Sequence, residues 1–139
     1  MKSTLVKDYM SESVTSFKPE DNLVEALRQL VKKNHSGAPV LDNEGRLVGM
    51  LSEIDCLKEA LKDGYFQSAS DRVADHMTKE VDFVQASDNI LVLADIFIGG
   101  RRRVPVLEDG VLVGIITRQD FARALIYKID HPHHGEHAH

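Results

Sequence analysis

An internal repeat constrains this chain more than any other feature. Gly49-Met-Leu-Ser52-Glu-Ile-Asp55 recurs as Gly114-Ile-Ile-Thr117-Arg-Gln-Asp120, 65 positions on, with the same spacing of glycine, two apolar residues, a hydroxyl and a carboxylate. Each copy closes a Val-rich strand and opens a helix, so a hydroxyl and a carboxylate emerge one turn apart where unpaired backbone N–H groups collect. That chemistry suits a ribose and a phosphate, although helix capping alone would account for a single copy. The repeat extends upstream. Met10 follows Val6-Lys-Asp8-Tyr and Met77 follows Val73-Ala-Asp75-His, an offset of 67. Behind them Leu23, Ala26, Leu27, Leu30 and Val31 answer to Ile90, Leu93, Ala94, Phe97 and Ile98. This is the spacing of one helical face. Asp21-Asn22 and Asp88-Asn89 stand where those helices need caps. Ala38-Pro39-Val40-Leu41 then matches Val104-Pro105-Val106-Leu107, each followed by a tight turn and a second strand. The drift in offset requires two one-residue deletions, one near Gly99-Gly100 and one in the hairpin turn, where loops tolerate length change.

Each half therefore reads as short helix, short strand, helix, strand, tight turn, strand, helix. The first-half elements fall near 4–10, 14–17, 22–33, 38–42, 46–51 and 53–63, and the second-half elements near 71–77, 81–84, 89–98, 103–108, 111–116 and 118–128. The boundaries are 1–66 and 67–128, the segment 63–71 joins the halves and reads as a linker from its small polar residues, and 129–139 is a His-rich tail. This is α/β (α+β) with small sheets. A half of this size would be marginal alone, so the two halves should share a core. A hydrophobic content of 42% suffices for one.

Composition removes several function classes. The net charge of −5 argues against general nucleic-acid binding, which needs a basic face. No apolar run is long enough to cross a membrane, and Met1-Lys-Ser lacks the apolar stretch of a signal peptide, so a cytoplasmic location is expected. The single cysteine, Cys56, reads as a packed thiol. There is no supported Ser-His-Asp set, no phosphate-binding loop and no Cys/His metal motif in the folded region, so no catalytic residue is assigned and the chain is read as a non-enzyme. Arg101-Arg102-Arg103 is either a solvated loop or a phosphate clamp, and His35, its first-half counterpart, faces the same choice. The tail histidines His131, His133, His134, His137 and His139 could bind a metal through imidazole nitrogens, but they lack the spacing of a structural zinc site and read as a flexible tail.

The segments GAPVLDNEGRLVGMLSEIDCLK and RVPVLEDGVLVGIITRQDFAR, the positions of Met10 and Met77, and the order of the repeat resemble a tandem pair of CBS domains, the Bateman module. The resemblance covers residues 4 to about 127 and implies two βαββα repeats, each with a preceding short helix, packed about a pseudo-twofold axis. It implies no obligatory cofactor but a regulatory adenosyl ligand in the clefts between repeats: AMP, ADP, ATP or S-adenosylmethionine. In the first cleft it places Asp120 on the ribose hydroxyls, Thr117 on phosphate or ribose, and Arg103 on phosphate. The backbone of Ser13, Val14 and Thr15 would read the adenine edge, and that of Ser36, Gly37 and Ala38 would close over the base. The second cleft would combine Ser52, Asp55, Val81, Asp82, Arg102, Arg103 and Val104. There Asp82 stands where Thr15 stands and Glu80 where Ser13 stands, and two carboxylates would repel phosphates unless the arginines intervene. Occupancy is therefore expected in the first cleft.

Two functions remain open: a ligand-sensing module, or an interaction protein with vestigial clefts whose dimer surface is its working part. The helix after Asp88 adds Leu91, Val92 and Ile96 to its core-facing set and is apolar nearly all round, whereas the helix after Asp21 offers Glu25, Arg28, Gln29 and Lys32 outward. A helix apolar all round needs a second covered side, so a homodimer is expected. The alternative cover is the segment 125–139 folding back.

Overall fold

The computed structural model describes residues 4–62 and 71–132. Most of the linker and the tail histidines His133, His134, His137 and His139 lie outside the described residues. The elements are α1 (Leu23–Lys33), β1 (Gly37–Leu41), β2 (Leu47–Ser52), α2 (Glu53–Lys62), β3 (Val84–Gln85), α3 (Leu93–Ile98), β4 (Arg103–Glu108), β5 (Val111–Thr117) and α4 (Arg118–Asp130). Single 3-10 turns at Val6–Asp8 and Val73–Asp75 stand where the short leading helices are expected.

Both halves build a hairpin on the same plan. β1 and β2 pair antiparallel, and so do β4 and β5. Each hairpin shifts register once, after Val40 and after Val106, which are equivalent positions. The first strand of each half is shorter than the sequence suggests. In the first half it shrinks to one parallel bridge between Phe17 and Val40, and in the second it is the two-residue β3 beside β4. Residues 13–16 and 81–83 precede these pairings and stay outside the ladders.

The helices follow their caps. Asn22 accepts the Glu25 N–H at 3.0 Å, and Asn89 accepts the Leu91 N–H at 2.9 Å. Leu23, Ala26 and Leu30 are buried on α1, as are Ile90, Leu93 and Phe97 on the second helix. Val31 and Ile98, placed on the core face by periodicity, are instead 63% and 84% exposed. Position i+8 lies about 80° around from position i, at the edge of the stripe. The second helix also opens with a 3-10 turn, Ile90–Val92, which changes its phase.

The two halves are interlocked. Val73 packs into the first-half core with Phe17, Leu23, Leu30, Val40 and Leu51, while Val6 packs into the second-half core with Val84, Ile90, Val104 and Phe121. Backbone bonds fix the exchange: Val73 N–H to Asp21 O at 2.9 Å, and Val6 N–H to Asp88 O at 2.9 Å. Ser11 and Ile115 exchange two backbone hydrogen bonds, as do Thr78 and Met50. The repeats in sequence thus differ from the units of packing, because the helical turn leading each repeat completes the core of the other. The glycine that opens each motif permits the crossing. A Cβ on Gly49 would lie 2.8 Å from Met77 Sδ and 2.9 Å from the Thr78 carbonyl oxygen, and one on Gly114 would meet Met10 and Ser11 in the same way. Among the described residues, no helix is long and apolar enough to cross a membrane.

Candidate functional site

Strand register brings the motif residues to one end of each hairpin. Ser52 stands opposite Gly37, and Thr117 opposite Arg103. Both hydroxyls cap the following helix: Ser52 Oγ accepts the Asp55 N–H at 3.0 Å, and Thr117 Oγ1 accepts the Asp120 N–H at 3.1 Å. The carboxylates then differ. Asp120 closes a capping box by accepting the Thr117 N–H at 2.9 Å, and its other oxygen pairs with Arg123 at 2.8 Å. Asp55 receives the Thr78 hydroxyl at 3.5 Å, at the outer limit of hydrogen bonding, and so keeps acceptor capacity.

Asp55 lines a cavity of about 580 Å³ between the halves, within the range of small-molecule sites. Met50, Leu51, Ile54 and Pro105 supply apolar wall, Ser52 and Asp55 polar anchors, and Arg101, Arg102 and Arg103 positive charge. Glu80, Val81 and Asp82 complete the lining. The repulsion expected from Asp82 is answered directly, because its Oδ2 lies 3.1 Å from Arg101 Nε.

A second space of about 460 Å³ is lined by Asn34, His35, Thr117, Arg118 and Gln119, and it shares Ser36, Glu53, Arg102 and Arg103 with the first. Two nitrogens here, His35 Nδ1 and Arg103 Nε, are buried without a hydrogen-bond partner. Burial, then the nearby Arg103 and Lys33, pulls the His35 imidazole below its usual value, which favours its neutral form. Burial also lowers Arg103, which Asp120 partly offsets, and the guanidinium stays charged.

The expected second cleft is thus assembled as a cavity by Ser52, Asp55, Val81, Asp82, Arg102 and Arg103. Val104 is the exception, fully buried with its side chain in the second-half core. The expected first-cleft set is divided with respect to these two spaces. Ser36 and Gly37 line the larger cavity, and Ser36, Arg103 and Thr117 line the smaller one. Ser13, Val14, Thr15, Ala38 and Asp120 border neither, and Ala38 is buried in the first-half core. Sequence reasoning missed Thr78, Glu53 and Arg118. The last two follow the motif hydroxyl directly, and their opposite charges were the available signal. Cys56 is buried and its thiol is pushed up to about 11, mainly by desolvation, which agrees with a packed side chain. The His131 ring stacks on Tyr127 at 4.1 Å. Among the described residues, no three His, Cys, Asp or Glu side chains are grouped to hold a metal.

The CBS domain model matches this chain twice, at residues 6–62 and 73–127. The uncharacterized protein MJ1225 of Methanocaldococcus jannaschii is 31% identical over 121 residues, which are 86% of this chain and 42% of that protein. Among solved structures, CBSX2 in complex with AMP superposes with a TM-score of 0.75 at 31% identity, covering 90% of this chain and 98% of that one. CBSX2 is a CBS-pair protein from Arabidopsis thaliana. The CBS pair of MJ0100, in complex with 5-methylthioadenosine and S-adenosyl-L-methionine, superposes with a TM-score of 0.72 at 28% identity, covering 90% and 98%. Two family matches that span most of the chain, on two hairpin units interlocked by their leading turns, establish that this protein belongs to the CBS-domain family and carries two copies of the domain.

Proposed function

We propose that this CBS pair is a cytoplasmic, non-catalytic regulatory module that binds an adenosyl ligand between its halves, with Asp55 on the ribose hydroxyls. The observation that carries this reading is the cavity lined together by Asp55, which keeps acceptor capacity, by Ser52, by three arginines and by apolar wall. Residues 80–82, outside any ladder, would offer backbone edges to a base, as the corresponding stretch 13–15 would in the first cleft. AMP in CBSX2, and methylthioadenosine and S-adenosylmethionine in MJ0100, support an adenosyl ligand. Binding alone is required, and a change in the tilt of one half against the other would carry the signal to an effector. The first cleft would take a ligand on Asp120 only after Arg123 releases it.

Calorimetry with AMP tests the assignment. Loss of a charge-assisted hydrogen bond costs about 1.5–3 kcal/mol, so Asp55→Ala should weaken binding about tenfold or more, while Asp120→Ala changes it by less than about twofold. The opposite ranking would move the primary site to the first cleft.

A second reading, an interaction protein working as a homodimer, is favoured by the apolar surface on the second half. Leu91 and Val92 are about half exposed, and Ile98, Ile126 and Ile129 are exposed on α3 and α4, which meet through Phe97 and Phe121 with ring centroids 5.7 Å apart. Ile96, expected outward, is half-buried against the second-half core and so contributes less to this face. On α1, by contrast, Glu25 and Arg28 pair in solvent at 3.2 Å. Sedimentation at micromolar concentration should show a dimer that Ile129→Lys dissociates. A monomeric wild type would sink this reading.

A further inference from the structure

Resting on the reading of the larger cavity as a nucleoside site, we propose that the ligand's anionic end continues into the smaller space, so that this module prefers nucleoside di- and triphosphates to monophosphates, with Arg118 meeting the distal phosphate. The two spaces adjoin, with Ser36, Glu53, Arg102 and Arg103 in the lining of both, so a ligand seated in the larger has the smaller next to it.

Their charges divide the work. Glu53, Asp55, Glu80 and Asp82 border the larger cavity against three arginines, and one of these, Arg101, is already engaged with Asp82. That space suits a base and a ribose, whose hydroxyls donate to carboxylates. It is a poor place for a chain of phosphates. The smaller space has Arg102, Arg103 and Arg118 against the single carboxylate of Glu53. Two guanidinium groups on the shared rim match one phosphate, and Arg118, beyond the rim on the first turn of α4, has no role for a monophosphate held there.

The unpartnered nitrogens point the same way. A buried donor left without an acceptor costs stability, and Arg103 Nε is such a donor at the junction of the two spaces. His35 Nδ1 is likewise buried and unpartnered in the lining of the smaller space. Both atoms are closed off from solvent, so phosphate oxygens would supply them acceptors as the two side chains turn toward the space, the neutral imidazole carrying its proton on Nδ1.

Titration calorimetry of the full chain with adenosine, AMP, ADP and ATP, at fixed ionic strength and without divalent cations, tests the proposal. ADP should bind about tenfold tighter than AMP, the scale of one added charge-assisted contact. Arg118 is exposed, so Arg118→Ala should keep the wild-type circular dichroism spectrum while reducing the ADP-to-AMP affinity ratio to below about threefold. AMP and ADP binding equally to the wild type would overturn the proposal and leave the nucleoside reading standing. A ratio unchanged in Arg118→Ala would overturn the role of Arg118. Failure of all four compounds to bind would overturn the nucleoside reading itself and the proposal with it.

Discussion

Replacing Val73 with aspartate is expected to unfold the first half of the molecule, although Val73 belongs by sequence to the second. Its side chain is fully buried among Phe17, Leu23, Leu30 and Leu51. A carboxylate there would need either an ion partner, which this apolar cluster lacks, or a proton taken up at the expense of folding. Such substitutions belong to the class that costs more than about 4 kcal/mol, against a total stability of about 5–15 kcal/mol for a domain. Thermal denaturation followed by circular dichroism should show a collapse of the melting temperature. Val6→Asp should do the same through the second-half core, where Val6 is also fully buried. A loss below about 1 kcal/mol for either variant would mean that the leading turns decorate the halves and do not complete their cores.

Gly114→Val is expected to cost about 3 kcal/mol or more. A Cβ at this position would fall 2.5 Å from Met10 Sδ and 2.8 Å from the Ser11 carbonyl oxygen. The thioether can swing aside because methionine has several rotatable bonds. The carbonyl cannot, because Ser11 accepts the Ile115 N–H at 2.9 Å and donates its own N–H to Ile115 O at 2.8 Å. Making room therefore breaks backbone bonds worth about 1 kcal/mol each, on top of an overpacking cost of about 1–3 kcal/mol. A melting temperature lower by roughly 10 °C would follow for a domain of this size. An unchanged value would show that the Met10–Ser11 segment can separate from β5 at little cost. Gly49→Val should behave similarly, since its Cβ would lie 2.9 Å from the Thr78 carbonyl oxygen.

The sequence by itself determined what depends on neighbours within a few residues. Helix faces at Leu23, Ala26 and Leu30, caps at Asn22 and Asn89, both hairpins and both hydroxyl caps follow from local periodicity and turn chemistry, and all are present in the structure. The duplication doubled each signal and so made the fold class legible. Local rules were weaker at the ends of elements. Val31 and Ile98 sit at the margin of a helical stripe, where small changes in phase decide between core and solvent.

The tertiary structure decided the questions that depend on partners far along the chain. The two motif aspartates are equivalent in sequence, yet Asp120 is held by Arg123 and the Thr117 N–H, while among the described residues Asp55 carries only the 3.5 Å contact from the Thr78 hydroxyl. An arginine three residues after Asp120, against Lys58 after Asp55, hinted at that difference without fixing it. Nor could the sequence show that Arg101 would be taken by Asp82, relieving the repulsion that had disfavoured the second cleft. The exchange of leading turns was equally hidden. A turn of three residues carries one buried valine and no preference for its own half. It settles where an adjoining backbone edge and an unfilled core pocket coincide, and that place exists only once both hairpins and their helices have formed.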